Sequence, residues 1–343
     1  HFRDEGLISD KAPTEKVVVF DEAQRAWTLK QASSFMARKK GQPDFDRSEP
    51  HFLIEVMDRH QDWCCIICLI GGGQEINTGE AGLEEWINSL KNNFSDWKVY
   101  YSNLIVSDND YLDNSNSKTW LNENATSEEN LHLAVSVRSF RSEKLSDFIH
   151  QLLNKKIDVA KNIYQELKEV YPIYVTRDIE VAKKWILENS RGSERYGVLA
   201  SSNAKRLRPF GIDVKNSISA SNWFLDGKDD VRSSYYMEDV ATEFEIQGLE
   251  LDWTIVCWGG DLHLEDSKWI YQSFKGTKWQ KIKKEIKKRY LLNAYRVLLT
   301  RARQGFVIFI PEGNEQDNTR PKKFYDETYK YLQQDIGIEQ LND

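Results

Sequence analysis

Several features that would place a protein in a broad class are missing from this sequence. No apolar run approaches eighteen residues, and the first residues, HFRDEGLISD, lack the charged-then-apolar pattern of a secretion signal. Only four residues are cysteine, and three of them, Cys64, Cys65 and Cys68, share one apolar run, which argues against a disulfide framework. The sequence therefore predicts a soluble cytoplasmic protein.

An excess of positive charge is also missing. The chain has 47 lysine and arginine residues against 54 aspartate and glutamate residues, which gives a formal net charge of -7. The sequence therefore excludes a protein that wraps nucleic acid through an overall positive charge. Any contact with a polyanion must come from a local basic patch. Because 12% of the residues are aromatic and that surface must be buried, a disordered chain is excluded as well.

Short apolar runs that end abruptly in small or charged residues are typical of strands buried on both faces of a parallel sheet. Helical apolar spacing separates several of them, as in residues 145–153 and 178–189. The alternation predicts an α/β fold with doubly wound parallel sheets and ligands at the carboxyl ends of the strands. The predicted strands are residues 17–20, 64–70, 131–137, 173–176, 198–200, 254–258 and 306–310.

A polar stretch rich in Asn, Ser and Asp, residues 107–130, interrupts this alternation and is interpreted as a linker. It divides the chain into a first lobe, residues 1–106, and a second lobe, residues 131–343. The first lobe contains two of the predicted strands and is expected to be incomplete at its amino terminus.

Two adjacent acids, Asp21 and Glu22, follow the first predicted strand. A strand that delivers two carboxylates at its carboxyl end suits phosphoryl transfer. One carboxylate can hold Mg²⁺ through its water shell while the other orients or deprotonates the attacking water, and both are candidate metal ligands. A solvated turn is the alternative, because the pair DE is common.

A glycine run, GGGQE, follows the second predicted strand. Its glycines, including Gly73, let the backbone approach a phosphate, and the amide of Gln74 can bond a γ-phosphate or its attacking water. A plain glycine turn before a helix is the alternative.

Arginines and one acid recur beside strands in the second lobe. A guanidinium can stabilise charge on a transferring phosphoryl group, although an isolated surface arginine more often forms a simple salt bridge. The candidates are Arg138 and Arg141, then Gly248 and Glu250 before a buried strand, then Arg301 and Arg303 before the last strand.

Five strings in order, FDEAQ, GGGQE, RSFRS, QGLE and LLTRAR, resemble motifs II to VI of superfamily 1 helicases and translocases. The longer strings FDEAQRAW, GGGQEINTGEAGLEEW, TEFEIQGLELDW and NAYRVLLTRAR are similar to the Schlafen group 3 DNA/RNA helicase domain family. The resemblance spans nearly the whole chain. It implies two RecA-like lobes, movement along DNA or RNA, and hydrolysis of ATP with Mg²⁺ at the interlobe cleft.

The same resemblance implies a role for each matched residue. Asp21 would bind Mg²⁺, Glu22 would be the catalytic base, and Gln74 would couple the nucleotide state to the second lobe. The second lobe would contribute Arg301 as arginine finger, Glu250 as ribose-side acid, and Arg138 or Arg141 as the motif IV arginine. Gly73, Gly248 and Arg303 lie in the same nucleotide-binding motifs.

The phosphate-binding motif G-x-x-x-x-G-K-[ST] is not found in the 343 residues. The nearest string, KGTKW at residues 275–279, lacks the second glycine and follows no predicted strand. We therefore expect a carboxyl-terminal part of a longer ATPase, or a degenerate relative, with little or no ATP hydrolysis on its own. A missing amino-terminal P-loop segment is the expected partner. The alternative is a non-catalytic module that binds nucleic acid or protein.

Two segments are candidates for binding single-stranded DNA or RNA. Residues 275–289 carry eight basic residues against one acid and include an aromatic side chain, a composition that suits phosphates and a stacked base. A solvated helix face is the alternative for this segment. The candidates there are Lys278, Trp279, Lys283 and Lys287, and a loop after the fifth predicted strand adds Ser201, Ser202, Asn203 and Arg206.

Overall fold

A computed structural model describes residues 6–7, 9–71, 82–107, 112, 114–132 and 140–342. The chain divides into two compact units, His1–Val135 and Ser136–Asp343, and each unit has its own hydrophobic core. Within the described ranges, no helix is long and apolar enough to cross a membrane.

The first unit contains four short strands and five helices among its described residues. In chain order they are β1 (Val17–Phe20), α1 (Leu29–Lys39), α2 (Glu49–Asp58), β2 (Cys65–Cys68), α3 (Gly82–Asn93), β3 (Tyr100–Tyr101), α4 (Leu104–Ser107), α5 (Ser115–Asn124) and β4 (Thr126–Ser127). Strands β1 and β2 are parallel, as are β3 and β4.

The sheet of β1 and β2 is covered on one face. Phe20 and Ile66 pack there against a core that includes Trp86 from α3. On the other face Val17 and Val19 are about half exposed, at 48% and 54%. For β1 and β2 the sequence predicts burial on both faces, but among the described residues only one face is covered.

Within the predicted linker, residues 107–130, the described residues 114–130 are a folded part of the first unit. Asn114 caps α5 by accepting a hydrogen bond from the backbone of Asn116, and β4 pairs with β3. Leu121 packs in a core with Leu83 and Ile87. The polar composition is misleading here, because an asparagine serves as a helix cap and the few apolar side chains supply the packing.

The second unit is built on a parallel sheet. Its elements are α6 (Phe140–Leu153), α7 (Ile157–Leu167), β5 (Ile173–Thr176), α8 (Ile179–Asn189), β6 (Tyr196–Ala200), α9 (Ala220–Leu225), β7 (Val240–Ala241), α10 (Glu243–Ile246), β8 (Leu251–Cys257), β9 (Leu262–Glu265), β10 (Lys268–Lys275), β11 (Lys278–Lys281), α11 (Glu285–Leu299), β12 (Ala302–Phe309), α12 (Asp326–Lys330) and β13 (Glu339–Gln340).

Six of these strands form one sheet in the order β13-β5-β12-β8-β6-β7, and every neighbouring pair is parallel. The central strands β8 and β12 are buried on both faces, which confirms the predicted α/β class. Strands β9, β10 and β11 form a separate antiparallel sheet.

The apolar runs of the second unit locate its central strands well. Residues 173–176 are β5, and the runs at 198–200, 254–258 and 306–310 overlap β6, β8 and β12. The predicted helix at 178–189 begins after Asp178, whose side chain caps it. The predicted strand 131–137 lies mostly outside the described residues, and Leu131 itself ends a short 3-10 turn.

The string KGTKW lies at the tip of a hairpin. It begins at the last residue of β10 and continues into β11, with Gly276 in the left-handed region at φ 59°. The expectation that no strand precedes it was wrong. β10 mixes polar and apolar residues without a regular period, so its strand signal is weak. A hairpin turn between antiparallel strands is still no phosphate loop, which joins a strand to a helix.

Candidate functional site

The acidic pair lies in a tight turn at the carboxyl end of β1. Asp21 is exposed, and its carboxylate accepts a hydrogen bond of 3.0 Å from the backbone N–H of Glu22. Glu22 has a left-handed backbone with φ 52°, which is uncommon for a residue other than glycine. The next residue, Ala23, donates its N–H to the carbonyl of Leu69, just after β2.

Gln24 anchors this turn, and the sequence analysis did not single it out. Its side chain is 1% exposed, and its amide nitrogen donates to the Glu22 carboxylate at 2.6 Å. Its amide oxygen accepts a hydrogen bond of 3.1 Å from the backbone of Gly71. One buried amide therefore links the acid to the carboxyl end of the neighbouring strand. The sequence feature that could have pointed to this residue is the Gln of the string FDEAQ.

Four candidates of the second unit lie where its central strands begin. The Arg303 guanidinium forms an ion pair of 3.1 Å with the Glu250 carboxylate, across the start of β8 and β12. The backbone carbonyl of Arg301 accepts from Leu251, which fixes the two strand starts side by side. Gly248 precedes them with φ 84°, a conformation that favours glycine.

Arg301 is only 5% exposed. Its Nε donates to the carbonyl of Val297 at 3.2 Å, and a terminal nitrogen lies 3.3 Å from the Thr300 hydroxyl. The guanidinium is thus held close to the last turn of α11. This contact positions a permanent positive charge directly before β12.

These positions differ from the expectation that ligands lie at the carboxyl ends of the strands. In the second unit, Glu250, Arg301 and Arg303 lie at the amino ends, whereas Ser201 follows the carboxyl end of β6. The seven residues of β8, at about 3.3 Å each, separate the two ends by roughly 20 Å. The candidate nucleotide residues and the Ser201 loop of this unit therefore form two distinct groups.

In the loop after β6, most candidate groups are already bonded within the protein. Ser201 is fully buried, and the backbone of Asn203 donates to its hydroxyl. Ser202 donates its N–H and its hydroxyl to Glu243, at 2.8 and 2.7 Å. Arg206 donates to Asp317 at 3.0 Å. These hydrogen bonds stabilise the loop, and binding of an outside phosphate by its residues stays a prediction.

Beneath this loop lies a buried carboxylate that the sequence analysis also missed. Asp261 is 0% exposed, and the hydroxyl of Tyr295 donates to its Oδ1 at 2.9 Å. Its Oδ2 has no hydrogen-bond partner in the described part of the chain. Burial raises the pKa of Asp261 from 3.8 to about 6, against the hydrogen bonds from Ser201 and Tyr295. Burial likewise raises the pKa of Glu243.

Replacing Asp261 by asparagine is expected to remove a pH dependence of stability. A raised pKa means that the folded state favours the protonated carboxyl, so this stability is present at low pH and lost as pH rises towards 6. Between pH 4.5 and 7.5, the free energy of unfolding of the wild type should fall by about 2 kcal/mol relative to Asp261→Asn. Urea unfolding at both pH values measures this difference. The control is Asp229→Asn, the same change at an exposed position. If the free energy of unfolding depended on pH equally in all three proteins, the expectation would be contradicted.

Trp279 lies in β11 and is packed rather than open. Its indole N–H donates to the carbonyl of Thr319 at 2.8 Å, and its ring contacts Phe274 and Phe324. Lys278 precedes it on the same strand, whereas Lys287 lies in α11 and Lys283 between the two. The basic run therefore covers a hairpin tip and a helix start.

Three candidates cannot be placed in the site. Gly73, Gln74 and Arg138 lie outside the described residues. The backbone of Arg141 belongs to α6, but its side chain is not among those described.

A comparison with protein families gives one match, which covers residues 5–312 and is described as Schlafen group 3, DNA/RNA helicase domain. The chain belongs to this family. No curated protein matches the chain. Membership in the Schlafen group 3 helicase domain family confirms the resemblance to that family, and it makes the chain a helicase-like domain related to nucleic acids.

Proposed function

We propose that this chain is the part of a nucleic-acid-dependent ATPase of superfamily 1 that carries its acidic and arginine motifs on two RecA-like lobes. The observation that carries the proposal is the turn after β1, where Gln24 joins the Glu22 carboxylate to the end of β2. A general base must be held in one position relative to the water it activates, and the buried amide supplies such a restraint.

The carboxylates of this turn fit Mg²⁺, which prefers oxygen ligands and keeps several of its waters. Asp21 is exposed and accepts one bond, from its neighbour's backbone, in the described part of the chain. A bound Mg²⁺ would neutralise charge on the phosphates of the nucleotide. In this proposal Asp21 holds the metal, and Glu22 accepts the proton of the attacking water.

Arg301 is proposed as the arginine finger, because its charge is permanent and its position before β12 is fixed by contacts with Val297 and Thr300. Glu250 is proposed to bind the ribose. It would then exchange its ion pair with Arg303 for the sugar hydroxyls, at small cost, since an exposed ion pair contributes less than about 1 kcal/mol.

The 343 residues contain no G-x-x-x-x-G-K-[ST] string, so we propose that the phosphate loop comes from polypeptide outside them. The chain alone would then hydrolyse little ATP. The same observation favours a second candidate, a non-catalytic module with a helicase-like fold that binds nucleic acid or protein.

Hydrolysis of ATP with Mg²⁺ tests the proposal. It is measured for this chain and for a longer product of the same gene that includes a phosphate-loop sequence, each with and without single-stranded DNA or RNA. We expect no hydrolysis of ATP by the chain alone. We expect the longer protein to hydrolyse ATP, and nucleic acid to stimulate this hydrolysis. Turnover by the chain alone would contradict the assignment of the phosphate loop, and none by either protein would favour the binding module.

A further inference from the structure

Six lysines surround the β10–β11 hairpin tip and the start of α11, and they are called the basic surface below. All six are exposed, and they are Lys275, Lys278, Lys281, Lys283, Lys284 and Lys287. Lys281 interacts electrostatically with Glu265. The other five have no acidic partner in the parts of the chain that the structure describes. In a protein whose net charge is -7, such a concentration of uncompensated positive charge is unusual.

The hairpin tip places two of these lysines directly opposite each other. Lys275 and Lys278 are partners in the β10–β11 register, and only Gly276 and Thr277 lie between them. Like charges at directly opposite positions of an antiparallel pair destabilise it. An anion bound at the tip would relieve this repulsion.

The start of α11 adds to the positive potential. The helix begins at Glu285 after Lys284, and no side chain caps its first N–H groups. Uncapped N–H groups carry the positive end of the helix dipole. Lys283 and Lys287 flank this end, so the helix and the lysines attract the same kind of ligand.

Aromatic side chains near the basic surface are occupied. The indole N–H of Trp279 donates to the carbonyl of Thr319, and its ring contacts Phe274. Tyr271 is half-buried, with the Lys288 ammonium 6.0 Å from the centre of its ring. No aromatic side chain of β10 or β11 is therefore open for a base to stack on, although such stacking is typical of proteins that bind single strands.

We propose that the basic surface binds the phosphate backbone of double-stranded nucleic acid. Cations without a stacking platform recognise phosphates rather than bases, and a duplex offers the denser array, about one charge per 1.7 Å of its axis. DNA and RNA duplexes share this chemistry. The inference rests on the proposed function for nucleic acid being the polyanion, and it requires neither nucleotide nor hydrolysis.

Fluorescence anisotropy without nucleotide tests the proposal on the full chain. The probes are a labelled DNA duplex, an RNA duplex of equal length, each corresponding single strand, and heparin as a competitor of similar charge. The test variant is Lys278→Gln/Lys283→Gln/Lys287→Gln. The matched control removes three exposed lysines elsewhere in the second unit, one just before α7, one in α7 and one in α8, as Lys156→Gln/Lys161→Gln/Lys184→Gln.

At 0.15 M salt, the test variant is expected to bind a duplex about 100-fold more weakly, because each phosphate contact contributes roughly five-fold through counterion release. The slope of log affinity against log salt should become shallower by about 3, and the control should match the wild type. Comparison of the affinities for the DNA duplex and the RNA duplex shows which of them the chain binds more tightly.

Tighter binding of single strands than of duplexes would overturn the proposal, as would equal losses in the test and control variants. Binding of heparin with no binding of any nucleic acid would overturn it as well. These outcomes are separate from a failure of the proposed function. Binding of a duplex by the chain, together with no ATP hydrolysis by the longer protein, would support the basic surface and contradict only the ATPase proposal.

Discussion

Glu22→Gln is expected to lower ATP hydrolysis about 1000-fold in a longer protein that supplies the proposed phosphate loop, since a general base contributes between 10² and 10⁴ in rate. The substitution keeps the size of the side chain and an oxygen that can accept the hydrogen bond from Gln24. The turn after β1 should therefore stay folded, and nucleotide should still bind. Release of phosphate at saturating ATP measures the change in kcat.

The matched control for this prediction is Glu123→Gln, which makes the same change at an exposed position of α5. Its kcat should equal that of the wild type. A Glu22→Gln protein that keeps a tenth or more of the activity would contradict the assignment of Glu22 as base. Loss of nucleotide binding together with hydrolysis would instead show that the side chain acts in binding.

The positions of the central strands of the second unit along the chain could be predicted from the apolar runs of the sequence. Strands such as β8 and β12 are buried on both faces along their carboxyl-terminal halves, so those halves are mostly apolar and give short apolar runs in the sequence. The antiparallel sheet was missed for the opposite reason. β10, with the sequence KWIYQSFK, does not alternate regularly and begins and ends in lysine, which gives a weak signal for both a strand and a helix.

The candidate site was predictable where it depends on neighbouring residues in the chain. Asp21 and Glu22 were placed correctly at a strand end, because the apolar run before them ends sharply. Contacts between distant residues were not predictable. Ser202 is bonded to Glu243, 41 residues away, and Arg206 to Asp317, 111 residues away. No local pattern shows that these side chains are already satisfied.

Gln24 and Asp261 also depend on contacts between distant residues, so their roles could not be predicted from the local sequence. Both are polar, both lie in a segment that follows a strand, and both are buried in the fold. Burial of a polar group is stable only when partners are present. For Gln24 a partner is Gly71, which follows β2, and for Asp261 it is Tyr295 of α11. Their importance appears only when the distant elements meet.

Arg301→Ala is expected to lower kcat of the longer protein about 1000-fold, because an arginine that stabilises charge on a transferring phosphoryl group contributes 10³ or more. The Arg303→Ala variant, which removes a largely exposed ion pair with Glu250, should keep its melting temperature and lose far less in kcat. Measurement of kcat and KM for both variants, with nucleotide binding determined separately, checks the difference.

Burial of Arg301 makes its role in stability the main competing explanation for such a loss. Arg301→Lys separates the two effects, because lysine keeps the charge and most of the side-chain length but loses the planar fork. A folded Arg301→Lys protein, with an unchanged melting temperature and a kcat lowered at least 100-fold, would support direct action on the nucleotide. Activity that falls only in proportion to the folded fraction would mean that Arg301 stabilises the start of β12 and has no part in the reaction.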